Sequence, residues 1–260
     1  MPFILLHDWD SSRVQMHKFS LFLQSRGHAV IIPDLRGHGQ SVEVVGSDKT
    51  LDYTKFRKSD VAFAMRDIER CKKYLVKRHN EGKLNIDMLC VGAIGETCVL
   101  AVEWAMNDWF AFPSHNAEGF KQGQDVKTLL LISPEKRLAG VSMMKNLRHP
   151  MFTGANGGAM PLLIMWNTSE DAAKDSESIF KTLDKARPDV AKIKDKEKRA
   201  AMTTLFSVPV TKSALPGAEL IENNKLAGLW NYVEQTISNK MDANKANYPW
   251  KTREKKKKKN

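Results

Sequence analysis

The chain has 260 residues, 42% of them hydrophobic, the ordinary size for a single α/β domain with a full core. Its formal charge of +11 invites an anionic partner, yet the last ten residues, KTREKKKKKN, hold seven basic side chains against one acidic, so more than half of the excess is a terminal run. No apolar run reaches the length of a membrane span, no basic-then-apolar leader opens the chain, and Cys71, Cys90 and Cys98 form no CxxC pair, which excludes a disulfide framework and a thiolate metal centre.

Phe3-Ile4-Leu5-Leu6 is an apolar run ending at His7-Asp8, the pattern of a short buried strand. Met16, Phe19 and Leu23 recur at helical spacing and Gly27 closes that helix, after which Ala29 to Ile32 predicts a second strand. Val61, Ala64, Met65, Ile68, Cys71 and Leu75 mark one face of a helix over about 54–79 whose other face is charged. Ile86 to Val91 predicts a third strand, followed by a helix from Gly95 to Trp109. Val126 to Ile132 and Pro161 to Trp166 are too continuously apolar for half-exposed edges and predict core strands covered on both faces.

Ile179, Phe180 and Leu183 stripe a helix that stops before Pro188, Leu205 to Val210 is the last strand, and Leu226, Leu229, Trp230, Val233 and Ile237 stripe the final helix. Residues 111–125 and 147–160, rich in Gly, Asn, Ser and Pro, predict surface loops, and the charged stretch 189–202 a solvated helix or mobile excursion. This alternation predicts a three-layer α/β fold: a mostly parallel sheet of about six strands with helices on both faces. The expected organisation is one domain over 1–240 and a basic, disordered tail over 241–260. Residues 251–260 are expected to bury nothing, with Lys255, Lys256, Lys257, Lys258 and Lys259 serving as a solubilising end or a weak contact for nucleic acid or an anionic membrane.

Two segments are more specific. Leu5-Leu6-His7-Asp8-Trp9 is similar to a strand ending in His-Gly-x, and Pro33-Asp34-Leu35-Arg36-Gly37-His38-Gly39-Gln40-Ser41 to a D-x-R-G-x-G-x-S stretch. With the order of the later elements, they make the chain resemble the α/β-hydrolase superfamily over residues 2–240. The resemblance implies that His7, Asp8 and Trp9 form the oxyanion loop, with Asp8 in place of the family's Gly, adding bulk and negative charge where an oxyanion would sit. Family members carry two further strands ahead of this point, which the fold is expected to lack. Either that hairpin is lost or the chain begins inside a longer protein, in which case an upstream signal sequence would change the expected cytoplasmic location to a periplasmic or secreted one.

The family's nucleophile occupies a strand-turn-helix apex written G-x-S-x-G. Counted from the strand, Gly92-Ala93-Ile94-Gly95-Glu96 places Ile94 there; counted from the helix, Ala93-Ile94-Gly95-Glu96-Thr97 places Gly95 there. Neither attacks a carbonyl. Glu96, Thr97 and Cys98 are the nearest alternatives, and Cys98 is expected inside the helix, in the core. The catalytic histidine should follow the last strand, but the histidines are at 7, 17, 28, 38, 79, 115 and 149, so the loop 211–218 has no imidazole to serve as base. Glu170 and Asp171 stand about where the family places its acid; with no histidine to orient, they are expected to cap a helix.

His7, Asp8, Asp34 and His38 fall at or beyond strand carboxyl ends, where ligands bind in open α/β sheets. Asp34, Arg36 and His38 are the candidate pocket residues, although Asp34 and Arg36 equally suit the role of stabilising a loop turned by Gly37 and Gly39. No metal and no cofactor is expected, since Gly154-Ala155-Asn156-Gly157-Gly158 lacks the Lys-Ser/Thr of a phosphate loop. The expected function is an α/β-hydrolase-fold protein without serine hydrolase activity that binds a small molecule or a protein; the alternative is an active hydrolase or lyase using other residues.

Overall fold

The computed structural model describes residues 1–110, 119–154, 158–169, 173–211, 217 and 219–254, together with the backbone of 114–115. Six strands form the central sheet: β1 (Pro2–Leu6), β2 (Ala29–Ile31), β3 (Leu89–Ile94), β4 (Val126–Ile132), β5 (Leu162–Asn167) and β6 (Leu205–Val210). Their order is β6-β5-β4-β3-β1-β2, and every neighbouring pair is parallel. The sequence expectation of a parallel sheet with covered faces is met.

Alternation along the strands divides the core. Ile4, Leu6, Val91, Ala93, Leu129, Leu131 and Ile164 point to the layer formed by α2 (Lys58–Asn80), α3 (Cys98–Phe110) and α4 (Ala173–Ala186), where Ile68, Val99, Val102 and Ile179 are buried against them. Phe3, Leu5, Cys90, Ile94, Leu130, Ile132, Leu163 and Met165 point the other way, onto Phe19 and Leu23 of α1 (His17–Ser25) and Trp230, Val233 and Ile237 of the last helix, α6 (Ala227–Ala243). Between α4 and β6, the charged stretch forms a turn at Val190–Lys192 and an exposed helix α5 (Lys196–Met202) whose first turn is capped by Asp195.

Some expected boundaries shift for local reasons. Asn85 accepts the Asp87 amide at 3.1 Å and winds Ile86–Met88 into a tight turn, so β3 starts at Leu89 and runs on to Ile94. Asp60 accepts the Arg57 amide at 2.8 Å, which starts α2 at Lys58. The expected loop 147–160 opens with a buried helical turn, Pro150–Thr153, whose Phe152 is fully inside the core. Arg187 holds it by donating to the carbonyls of Phe152 at 2.8 Å and Met160 at 3.1 Å.

The largest difference concerns the C-terminus. Residues expected to trail from position 241 are packed as far as Glu254: α6 reaches Ala243, a turn covers Lys245–Asn247, Asn85 donates to the Tyr248 carbonyl at 2.8 Å, and Trp250 donates to the His79 carbonyl at 3.2 Å. The Arg253 side chain, 6% exposed, pairs with Asp87 and Asp125. Asp125 also faces Lys72, whose amine lies 2.8 Å from Asp108. A buried ion network therefore closes the amino ends of β3 and β4 and anchors the strap 248–254. Lys255 to Lys259 lie outside the described residues. Among the described residues, no helix is long and apolar enough to cross a membrane.

Candidate functional site

The chain goes from β1 to β2 on one side and then crosses to β3 on the other, so the strand order reverses between β1 and β3. The crevice beyond the carboxyl ends of such a pair is where open α/β sheets hold ligands. Asp8 follows β1 there, and Gly95 follows β3.

β3 ends at Ile94, whose side chain is buried in the core, and the backbone turns through Gly95 at φ +57° into a tight turn, Gly95–Thr97, and α3. Positive φ costs glycine little and other residues substantially. Of the two residues the sequence offered for this apex, Gly95 occupies the turn and Ile94 ends the strand beneath it.

The Asp8 carboxylate lies over that turn. Its Oδ1 accepts the backbone N–H of Trp9 at 2.8 Å and that of Glu96 at 3.1 Å. The backbone of Asp8 is fixed as well, its N–H donating to Gln15 Oε1 at 2.7 Å and its carbonyl 2.7 Å from His7 Nδ1. His7 Nε2 accepts the Leu35 N–H at 3.1 Å, so the ring is neutral with its proton on Nδ1, and burial pulls its pKa down to about 4. Both ring nitrogens are occupied, which leaves His7 no free lone pair for acting as a base.

Negative charge collects around the turn. Burial raises the pKa of Asp8 and pushes Glu96 up to about 7, where Glu135, Asp8 and Asp10 add to the effect. Glu135 is raised too, by burial and then by Asp8, Asp175 and Asp10, and its N–H donates to the Gly95 carbonyl at 3.2 Å. Such a field opposes a developing oxyanion. Gln15, Asp10 and Glu135 stand out in no motif: Gln15 and Asp10 act through Asp8, their near neighbour in sequence, and Glu135 reaches Gly95 because β3 and β4 are adjacent.

The nearby hydroxyl and thiol point inward. Thr97 is fully buried and donates to the Ile94 carbonyl at 2.8 Å; Cys98, equally buried, contacts the Ala93 carbonyl at 3.3 Å, and burial pushes its thiol well up.

The expected pocket residues are engaged in building the loop after β2. Asp34 accepts the N–H groups of Arg13 at 2.8 Å and Gln40 at 3.1 Å, while a Cβ on Gly39 would lie 2.5 Å from its carboxylate. Arg36 forms a two-pronged pair with Asp67 at 3.0 and 2.7 Å. His38 is 2.9 Å from the Arg36 carbonyl and 2.6 Å from the Trp9 carbonyl, and its ring stacks on Tyr53 with centroids 4.2 Å apart. Trp9 packs edge-on against His38 at 4.9 Å, so the oxyanion-loop candidate and the pocket candidates form one unit. Glu170, Asp171 and all of the loop 211–218 except Thr211 and Gly217 lie outside the described residues. Among the described residues, no group of three or more His, Cys, Asp or Glu side chains is arranged to hold a metal ion.

No family model matches the sequence, and no curated protein is similar to it. Solved structures are. A fungal esterase from Rhizomucor miehei superposes with a TM-score of 0.58 at 10% identity, over 93% of this chain and 75% of its own. A bromoperoxidase from Bacillus anthracis gives 0.54 at 11% identity, over 90% and 91%. An uncharacterized protein from Bacillus cereus gives 0.54 at 11%, and the chain, 92% of it aligned, spans only 59% of that longer molecule. At these identities the likeness is one of fold.

Proposed function

We propose, for a chain whose fold is that of the α/β-hydrolases, that it performs no serine-hydrolase chemistry and acts by binding a small molecule or a protein. The observation that carries this reading is the Asp8 carboxylate on the N–H groups of Trp9 and Glu96, above a glycine. In a hydrolase of this fold, the amide after the nucleophile and one from the loop after the His-Gly strand receive the oxyanion of the tetrahedral intermediate. On this reading Glu96 and Trp9 supply those amides, and the chain's own carboxylate stands where the intermediate's oxygen would. Gly95 holds the vestigial nucleophile position, Glu170 or Asp171 the vestigial acid position, and Asp34, Arg36 and His38 support the loop beside the crevice. Cytoplasmic residence belongs to the same reading, on three cysteines that are free thiols.

A second reading is favoured by one group. Glu96, pushed up to about 7, flanks the turn and is suited to moving a proton at neutral pH, as an active hydrolase or lyase with a non-standard residue set would need. Fluorophosphonate labelling of the purified chain, together with a panel of short-chain and aryl esters, separates the two. The binding reading expects no label and no saturable turnover. Turnover that survives purification and is lost in Glu96→Gln would establish the second.

A further inference from the structure

At the pole opposite Asp8 and Gly95, the amino ends of β4, β5 and β6 border a cleft of about 650 Å³ lined by Trp109, Lys127, Met160, Met202, Lys240 and Tyr248. Its volume is in the range of small-molecule sites, and its walls combine the rings of Trp109 and Tyr248 and the thioethers of Met160 and Met202 with the polar side chains of Thr204 and Asn244. Two buried lysines reach it. Lys240 is consumed as a helix cap, donating to the carbonyls of Ala201 at 2.6 Å and Ala200 at 3.3 Å at the end of α5.

Lys127 is held differently. Its amine bonds one backbone carbonyl, that of Gln124, and lies 5.4 Å from the ring centres of both Trp109 and Tyr248. Among the described residues, no carboxylate oxygen comes within 4.0 Å of it, in contrast to Lys72 and its three acidic partners. The residue is 9% exposed. Burial, reinforced by Lys121, draws its pKa down to about 8 against the opposing pull of Asp87, Asp125 and Asp108. Desolvation beside a second cation is the standard physical route to a nucleophilic lysine.

We propose that Lys127 is a carbonyl-capturing amine, and that the cleft takes a small planar aldehyde or ketone that lies against Trp109 and Tyr248. The neutral nitrogen attacks the carbonyl carbon and the C=O π pair moves to oxygen. Proton transfer from nitrogen to oxygen gives a carbinolamine; the nitrogen lone pair then forms the C=N bond as the C–O bond breaks, and the hydroxyl leaves as water with the second nitrogen proton. Nothing is oxidised or reduced, and water reverses the step. This site is independent of the crevice at Asp8 and Gly95, so the outcome of the ester and fluorophosphonate assays leaves it untouched.

The test uses the full chain with benzaldehyde at pH 7.5, trapping by cyanoborohydride and peptide mapping by mass spectrometry. Lys127 is expected to carry the benzyl adduct at least about tenfold ahead of exposed lysines such as Lys18 and Lys73, which do not line the cleft. Trp109→Leu should slow labelling at Lys127 and leave Lys18 and Lys73 unchanged. Adducts spread over the exposed lysines, with Lys127 unmodified in the folded wild type, would overturn the proposal. Because the decisive comparison is made within the wild-type chain, it does not depend on any variant folding.

Discussion

The Asp8 carboxylate and the side-chain direction of Gly95 compete for the same space: a Cβ built on Gly95 would lie 2.3 Å from each Asp8 carboxylate oxygen. Residue 95 therefore cannot gain a side chain while Asp8 stays where it is. Two positions 87 residues apart by number are coupled by the adjacency of β1 and β3.

Gly95→Ser alone is expected to destabilise the chain, by about 1–3 kcal/mol for the positive φ and by more for the collision. It should also give no ester hydrolysis, since a serine hydroxyl without a base stays protonated. Adding Asp8→Gly removes the collision, so the double variant should be more stable than Gly95→Ser. A double-mutant cycle in urea checks this; additive losses would show that the two positions do not touch.

Glu96 sets a pH signature. Its folded pKa of about 7 is above its ordinary value of 4.5, so between those limits the native chain holds more protons than the unfolded one. Its contribution to stability is complete below about 4.5 and is lost as pH rises to 7. His7, pulled down to about 4, acts in the opposite sense, costing stability as pH falls from 6.5, so the wild-type profile mixes both. The difference between wild type and Glu96→Gln isolates Glu96. The variant should gain Tm relative to wild type as pH goes from 5 to 8, and parallel profiles would contradict the assignment.

Lys72 neutralises two carboxylates with almost no solvent access, Asp108 at 0% and Asp125 at 1% side-chain exposure. Removing one partner of such a group leaves uncompensated buried charge, so Lys72→Met is expected to cost about 3–5 kcal/mol in chemical denaturation. A loss under 1 kcal/mol would mean that water screens the network.

The strap makes a paired prediction about truncation. Removing residues 255–260 should leave Tm unchanged, whereas removing 251–260 takes away Arg253 and should cost roughly 2 kcal/mol or more. Equal Tm values for both truncations would show that 251–254 does not dock.

The sheet was legible because its central strands are continuous apolar runs, such as Val126 to Ile132, and because Gly27 and Pro188 punctuate the helices. The strap was not, since Arg253 looks like one more cation in a basic run until Asp87, 166 residues away, is placed beside it. The candidate site was half legible. Asp8 stood out as bulk and charge in place of a glycine, but its bond to the Glu96 amide spans 88 residues and exists only because β1 pairs with β3. The choice between Ile94 and Gly95 needed the backbone: the last strand residue faces the core, and the positive φ falls on the next one.

The hold of Asp8 on the amides of Trp9 and Glu96 can be read from the ¹H,¹⁵N amide shifts of those two residues in the wild type and in Asp8→Ala. Both amide protons should lie downfield in the wild type and move upfield together in Asp8→Ala, with the remaining β1 and β3 amides nearly unchanged. Unchanged shifts at both positions would contradict this and mean that the carboxylate does not occupy the pair of donors.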